Sequence, residues 1–213
     1  PLTEAEDRRR IERAVAHHGG VEGAAREAAY SWFNRLTALR YMDAVGVSGT
    51  HMVVTPTGAS SEPECLSQAR VGAFDPRVDR APAGRGADGR PGVAQRVGRL
   101  LFENRDVEAY VVLLSAYFDL WHPLIPDMFP AGDHWTNLVP PSDLLSASSV
   151  RADLVEGIAV GESGGPGVEV IGWLYQFYIA ERKQQINDAK VKITSKDLAP
   201  VTQLFTPHWI VRY

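Results

Sequence analysis

The sequence predicts a mainly α domain of about six helices with a long irregular middle loop. Three observations predict it. Apolar residues recur at helical spacing through residues 22–45 and again through 93–121. Glycine, proline and serine clusters stand between the periodic segments rather than inside them. Alternating strand-like runs are nearly missing; Val53, Val54 and Thr55 alone suggest a short strand within 47–57.

The elements follow in order. Thr3-Glu4-Ala5-Glu6 is a capping-box pattern, so a first helix should run to about His17 and stop at Gly19-Gly20. Arg8 to Arg10 share their turns with Glu4, Glu6, Asp7 and Glu12, which reads as a solvated face rather than a nucleic-acid patch. The second helix, 22–45 with Gly46 as its stop, is the clearest. Ala25, Ala29, Trp32, Leu36 and Leu39 form its stripe, widened by Phe33 and Met42. Trp32 and Phe33 read as core aromatics, with Asn34 and Arg35 paired at the helix surface.

Between Gly46 and Gly92 regular structure is scarce, apart from a candidate helix over 63–71. Residues 81–92, APAGRGADGRPG, read as a flexible surface insertion; its arginines could reach phosphate, but ordering a glycine-rich loop costs entropy. Helix returns over 93–121, with Asn104 or Asp106 dividing it and Pro123 ending it. Its stripe is Val107, Tyr110, Val111, Leu114, Tyr117, Phe118 and Trp121. A proline-rich connector follows, then a helix capped by Ser149. Glycines from Gly161 to Gly167 lead into an apolar run, 170–180, that should be a buried helix emerging into solvent at Glu181. It is too short to span a bilayer, which takes about 20 apolar residues. Thr206-Pro207 reads as a helix start, the threonine hydroxyl capping and the proline at the first helical position. That last helix has barely a turn before Tyr213, which suggests the front part of a longer protein.

Composition excludes some classes. The chain carries a formal charge of −4 and no obvious basic stripe, so it does not read as a freestanding DNA-binding domain. Cys65 is the single cysteine, which rules out an internal disulfide and a cysteine-rich zinc site and fits a reducing cytoplasm. The first residues lack the apolar core of a secretory signal. No metal site is expected. His17 and His18 are adjacent and should point apart, and solvated or capping roles are favoured for His122 and His134 beside Asp127 and Asp133.

Three words carry a family resemblance. AAYSWFNRLTALRYMD in the second helix resembles the start of the PglX family of adenine-specific DNA methyltransferases, which serve BREX and phage growth limitation systems; Asp43 stands where the family usually has Glu. EVIGWLYQFYI and TQLFTPHWIVRY resemble the end of that family's N-terminal region. The Gln-x-Phe-Thr-Pro element is also similar to motif X of adenine-N6 methyltransferases, which lies at the methionine end of the cofactor S-adenosylmethionine.

The resemblance implies a helical N-terminal domain over 1–200 and the truncated start of a methyltransferase fold over 201–213. It implies that Gln203, Phe205, Thr206 and Pro207 form an edge of the cofactor pocket. Thr206 would donate its hydroxyl to the cofactor carboxylate and Phe205 would pack beside it, at a helix N-terminus suited to an anion. An ordinary capped helix is the alternative. The catalytic Asn/Asp-Pro-Pro-aromatic element is missing. Val139-Pro140-Pro141-Ser142 fails as a substitute, because Val139 cannot hydrogen-bond an amino group and Ser142 cannot stack on a base. No glycine loop for the cofactor is present either, so the fragment alone should be inactive. DNA would be held mainly by other domains. Further phage-defence proteins are the other expected partners, no membrane is expected, and the location should be cytoplasmic. The competing reading is a non-catalytic helical adaptor that binds protein.

Overall fold

A computed structural model describes residues 4–53, 62–79, 91–132 and 134–158. The chain divides into two units, Pro1–Ala159 and Val160–Tyr213, and every described residue lies in the first. The described part is helical, as expected, with no strand among its residues. Its elements are α1 (Glu4–His17), α2 (Val21–Ala44), α3 (Glu64–Arg70), α4 (Pro76–Asp79), α5 (Val93–Phe102), α6 (Asp106–Trp121), a 3-10 turn (Trp135–Leu138) and α7 (Val150–Gly157).

α1 and α2 are joined by a glycine turn. Gly19 and Gly20 take φ of 76° and 121°, values an L side chain rarely adopts. Gly23 is needed for a different reason: a Cβ there would lie 2.0 Å from the His18 carbonyl oxygen. Thr3 of the expected capping box lies outside the described residues.

α2 is the mast of the fold. Ala24, Ala28, Trp32, Leu36 and Leu39 are buried along it. The expected stripe is therefore right from Trp32 onward and one residue out before it, since Ala25 and Ala29 are exposed. The other large contribution to the core comes from α6, through Tyr110, Leu113, Leu114, Tyr117 and Phe118. Phe118 meets Trp32 edge-on with ring centroids 5.5 Å apart, and stacks on Phe129 of the proline-rich connector at 5.5 Å. Aromatic pairs in these geometries add about 0.5–1.5 kcal/mol beyond the area they bury.

The break in 93–121 falls at Asn104. Its φ of 56° is left-handed, and the N–H groups of Asn104 and Arg105 bond back to the carbonyls of Leu101 and Leu100 at 3.1 and 2.9 Å. This is a Schellman end with asparagine in place of glycine. α5 packs most extensively on α6. α3 forms where 63–71 was expected. α4 has no counterpart in the sequence reading; it is a single turn after Pro76, too short to show a period.

Residues 47–53 are a run of bends, while Val54 and Thr55, which carry most of the signal for a strand within 47–57, lie outside the described residues. The cause of the bends is a carboxylate. Asp43, buried at the end of α2, accepts from the Ser48 hydroxyl at 2.6 Å and from the Met52 and Val53 N–H groups at 3.0 and 2.8 Å. Donors that a strand would give to a neighbour go to a side chain instead. Ser149 caps α7, accepting from the Ala152 N–H at 3.3 Å.

Candidate interaction site

The sequence-predicted cofactor residues Gln203, Phe205, Thr206 and Pro207 lie outside the described residues, as does the apolar run 170–180. Within the described fold the candidate site is an apolar groove of about 380 Å³. Its floor is the first half of α2, with Ala24, Ala25, Ala28, Ala29 and Trp32. Ile11 and Val15 of α1 form one wall, and Trp135, Val139, Pro140 and Pro141 form the other. Alanines on the floor let a visitor approach the α2 backbone closely. The lining offers no acid, base or nucleophile, so the groove suits an apolar surface, not a reaction.

The second wall is held to α2 by hydrogen bonds across more than a hundred residues of sequence. Trp32 Nε1 donates to the Thr136 carbonyl at 2.8 Å. Arg35 Nη1 donates to Asn137 Oδ1 at 2.6 Å, and Nη2 to Thr136 Oγ1 at 2.5 Å. Asn137 in turn donates to the Ala131 carbonyl at 3.1 Å. The His134 ring caps the 3-10 turn, accepting from the Thr136 N–H at 3.4 Å, and its Nδ1 meets Thr136 Oγ1 at 2.8 Å.

Arg35 does not pair with Asn34 at the surface as expected. It is fully buried, while Asn34 is exposed. Its guanidinium lies 5.2 Å from the Phe118 ring centroid and 5.8 Å from that of Trp32. Its Nε is buried without a hydrogen-bond partner. Burial pulls its pKa down to about 10, so it remains a cation at neutral pH. Ring faces and neutral oxygens replace the carboxylate such a charge ordinarily has.

Further along α2, buried Arg40 donates to the Ile158 carbonyl, which ties the end of α7 to the mast. The word AAYSWFNRLTALRYMD therefore supplies Trp32, Arg35, Arg40 and Asp43 as internal fastenings. Each holds a segment outside its own helix, and none is displayed to solvent.

The remaining candidate groups are structural. Cys65 is buried, and burial pushes its thiol pKa up, away from reactivity. Its Sγ and the Tyr110 hydroxyl both point at the Met52 carbonyl, at 3.7 and 2.7 Å. His122 Nδ1 bonds the Phe129 carbonyl at 2.8 Å. The rings of His17 and His18 touch edge-on at 4.8 Å instead of pointing apart. The two straddle the end of α1, where helical geometry no longer separates neighbours. Val139-Pro140-Pro141, unsuited to catalysis, serves as groove wall. The sequence reading missed the groove. Its signal was the pairing of Ala24-Ala25 with Ala28-Ala29, two adjacent small residues one turn apart.

Among the described residues no helix is long and apolar enough to cross a membrane. No protein-family model matches the chain. It is 36% identical over 215 aligned positions to the adenine-specific methyltransferase BrxX of Escherichia coli O9:H4 (strain HS), an alignment that covers 100% of this chain and 16% of that protein. It is 34% identical over 193 positions to the adenine-specific methyltransferase PglX of Lacticaseibacillus casei (strain Zhang), covering 88% of this chain and 15% of that one. The resemblance first carried by three short words thus runs along nearly the whole chain. The chain spans about a sixth of the length of these relatives.

Proposed function

We propose that this chain is the N-terminal domain of a site-specific adenine-N6 DNA methyltransferase of a BREX-like phage-defence system, acting in the cytoplasm. The observation that carries the reading is the similarity to two adenine-specific methyltransferases along 88–100% of this chain but only 15–16% of theirs. S-adenosylmethionine would supply the methyl group. Gln203, Phe205, Thr206 and Pro207 would form a motif X-like edge of its pocket, with Thr206 donating to the cofactor carboxylate. The fragment's own work is support: α2 and its fastenings make a firm block against which a catalytic domain can be built, and the fragment by itself transfers no methyl group.

Two measurements test this. Calorimetric titration of full-length Thr206→Ala with S-adenosylmethionine should show clearly weaker binding, and unchanged affinity removes Thr206 from the pocket. Purified residues 1–213 should transfer no methyl group to adenine-containing duplex DNA, and detectable transfer contradicts the division of labour.

A second reading is favoured by the groove. An apolar trough with no reactive group is what a helical adaptor would offer to another defence protein. Reading the gene past Tyr213 separates the two. A glycine loop followed by Asn-Pro-Pro-aromatic supports the enzyme, whereas an immediate stop codon supports the adaptor.

A further inference from the structure

α5 presents a face that no other described element uses. Val93, Val97 and Leu100 are buried on its inner side. Gln95, Arg99 and Phe102 lie on the opposite side at i, i+4, i+7 spacing, flanked by Arg96 and Gly98, and all five are exposed. Phe102 is 88% exposed, more than any other large apolar side chain among the described residues. It does not stand on a loose end. The Schellman bonds at Asn104 and Arg105 fasten the last turn of α5 directly beneath it.

Two further features of this face lack an internal explanation. Glycine weakens a helix, yet a Cβ at Gly98 would meet nothing within 4 Å, so packing within the chain does not call for glycine there. A bare spot between two arginines does let another backbone come close. The charge is also one-sided. Arg96 and Arg99 are the only charged residues in α5; Arg99 leans on Glu103 at 3.9 Å, and Arg96 makes no ion pair among the described residues. In sequence, residues 80–102 carry five arginines against one aspartate, inside a chain whose formal charge is −4. On the described face itself, two neighbouring guanidinium groups in a chain of net negative charge suit a polyanion.

The geometry points to the outer face of α5 as a contact for the sugar–phosphate backbone of DNA, with Arg96 and Arg99 on phosphates and Phe102 packed against a deoxyribose. Two guanidinium groups followed by one ring on the same face favour nucleic acid over an acidic protein, because each nucleotide offers both a charge and an apolar sugar beside it. The inference rests on the reading of the parent protein as a DNA methyltransferase and adds a place where this domain itself touches the substrate.

The test uses the full-length protein and a fluorescent adenine-containing duplex, with Kd measured by anisotropy from about 50 to 200 mM salt and methyl transfer followed in parallel. Arg96→Ala with Arg99→Ala should raise Kd roughly tenfold and flatten the log K against log salt slope by about 2. Phe102→Ala should raise Kd about fivefold with the slope unchanged. All three side chains are exposed, so the thermal midpoint should stay where it is. Unchanged Kd and slope in the variants, while the wild type binds and methylates, overturn the α5 contact and leave the methyltransferase reading standing. A wild-type protein that neither binds nor methylates DNA overturns both. Variants that lose a defence-protein partner but keep wild-type DNA affinity also overturn it, in favour of protein docking.

Discussion

The two halves of α2 make opposite use of the same helix. From Val21 to Ala29 it shows alanines to an open groove, and among the described residues nothing polar reaches out from it to a distant segment. From Trp32 to Asp43 its buried polar groups grip three segments: Trp32 and Arg35 hold 136–137, Arg40 holds Ile158, and Asp43 holds 48–53. The difference teaches that polar residues inside a helical domain can specify where irregular chain must lie. Apolar packing alone would leave 45–53 and 134–141 with many near-equal positions.

The comparison can be broken most forcefully at Asp43. Asp43→Ala should cost about 3–5 kcal/mol, because the Met52 and Val53 N–H groups are left buried without an acceptor. Urea denaturation measures it, and a loss below about 1 kcal/mol would mean that 45–53 holds itself in place. Arg35 comes next. Arg35→Ala should cost about 2–4 kcal/mol through the cavity and the released 3-10 turn. Arg35→Met should cost roughly half that, because methionine fills the space and removes a buried cation. The sign agrees: with its folded pKa lowered to about 10, the charge of Arg35 costs stability at every pH below that value.

The open half sharpens the contrast from the other side. Ala29→Glu sits at an exposed groove position, so unfolding free energy should move by no more than about 0.5 kcal/mol. Binding of an apolar dye to the groove, read by fluorescence, should fall severalfold. A large stability loss would show that the first half of α2 is as tightly committed as the second.

The smallest effect is on the pH axis, at the two carboxylates around 45–53. Burial raises the Asp43 pKa more than the hydrogen bonds from Ser48, Val53 and Met52 lower it, so ionising this group costs stability as pH rises through its window. Asp75 is opposite. Burial pushes it up, but hydrogen bonds and charge from Arg77, with the Tyr117 hydroxyl, hold it below the usual carboxylate range. Its contribution is present above the ordinary carboxylate pKa and is lost as pH falls through the lowered value. Asp75→Asn should therefore flatten the acid limb of a thermal-midpoint profile, whereas Asp43→Asn should look least harmful at the higher pH values.

Much of the fold was legible, and the reasons are local. α2 shows a long period, Asn104 is a residue that tolerates left-handed backbone, and Ser149 is a good cap; each announces itself within a few positions. The destination of a buried polar side chain does not. Arg35 and Asn34 look alike as neighbours on a helix, and only the arrival of residues 136 and 137 decides that one is buried and the other exposed. The short strand suggested within 47–57 by Val53, Val54 and Thr55 is described only up to Val53, where the N–H goes to the Asp43 carboxylate, a destination that β-branched residues do not signal. The groove was missed because two packed elements and a proline pair make it together. The cofactor edge at Gln203, Phe205, Thr206 and Pro207 came from family resemblance to a short word, and it remains a proposal for the full-length protein to test.

The fastenings of α2 also set an order of events during synthesis. Arg35 finds its acceptors 101 and 102 residues later, and Arg40 finds its own 118 later. A ribosome adding about 5–20 residues per second needs roughly 5–20 s to make that length. For that interval the nascent mast carries two guanidinium groups whose final oxygens do not yet exist. Early compaction around α2 must therefore stay loose and wet, and the domain can close only when the chain beyond Ile158 begins to emerge.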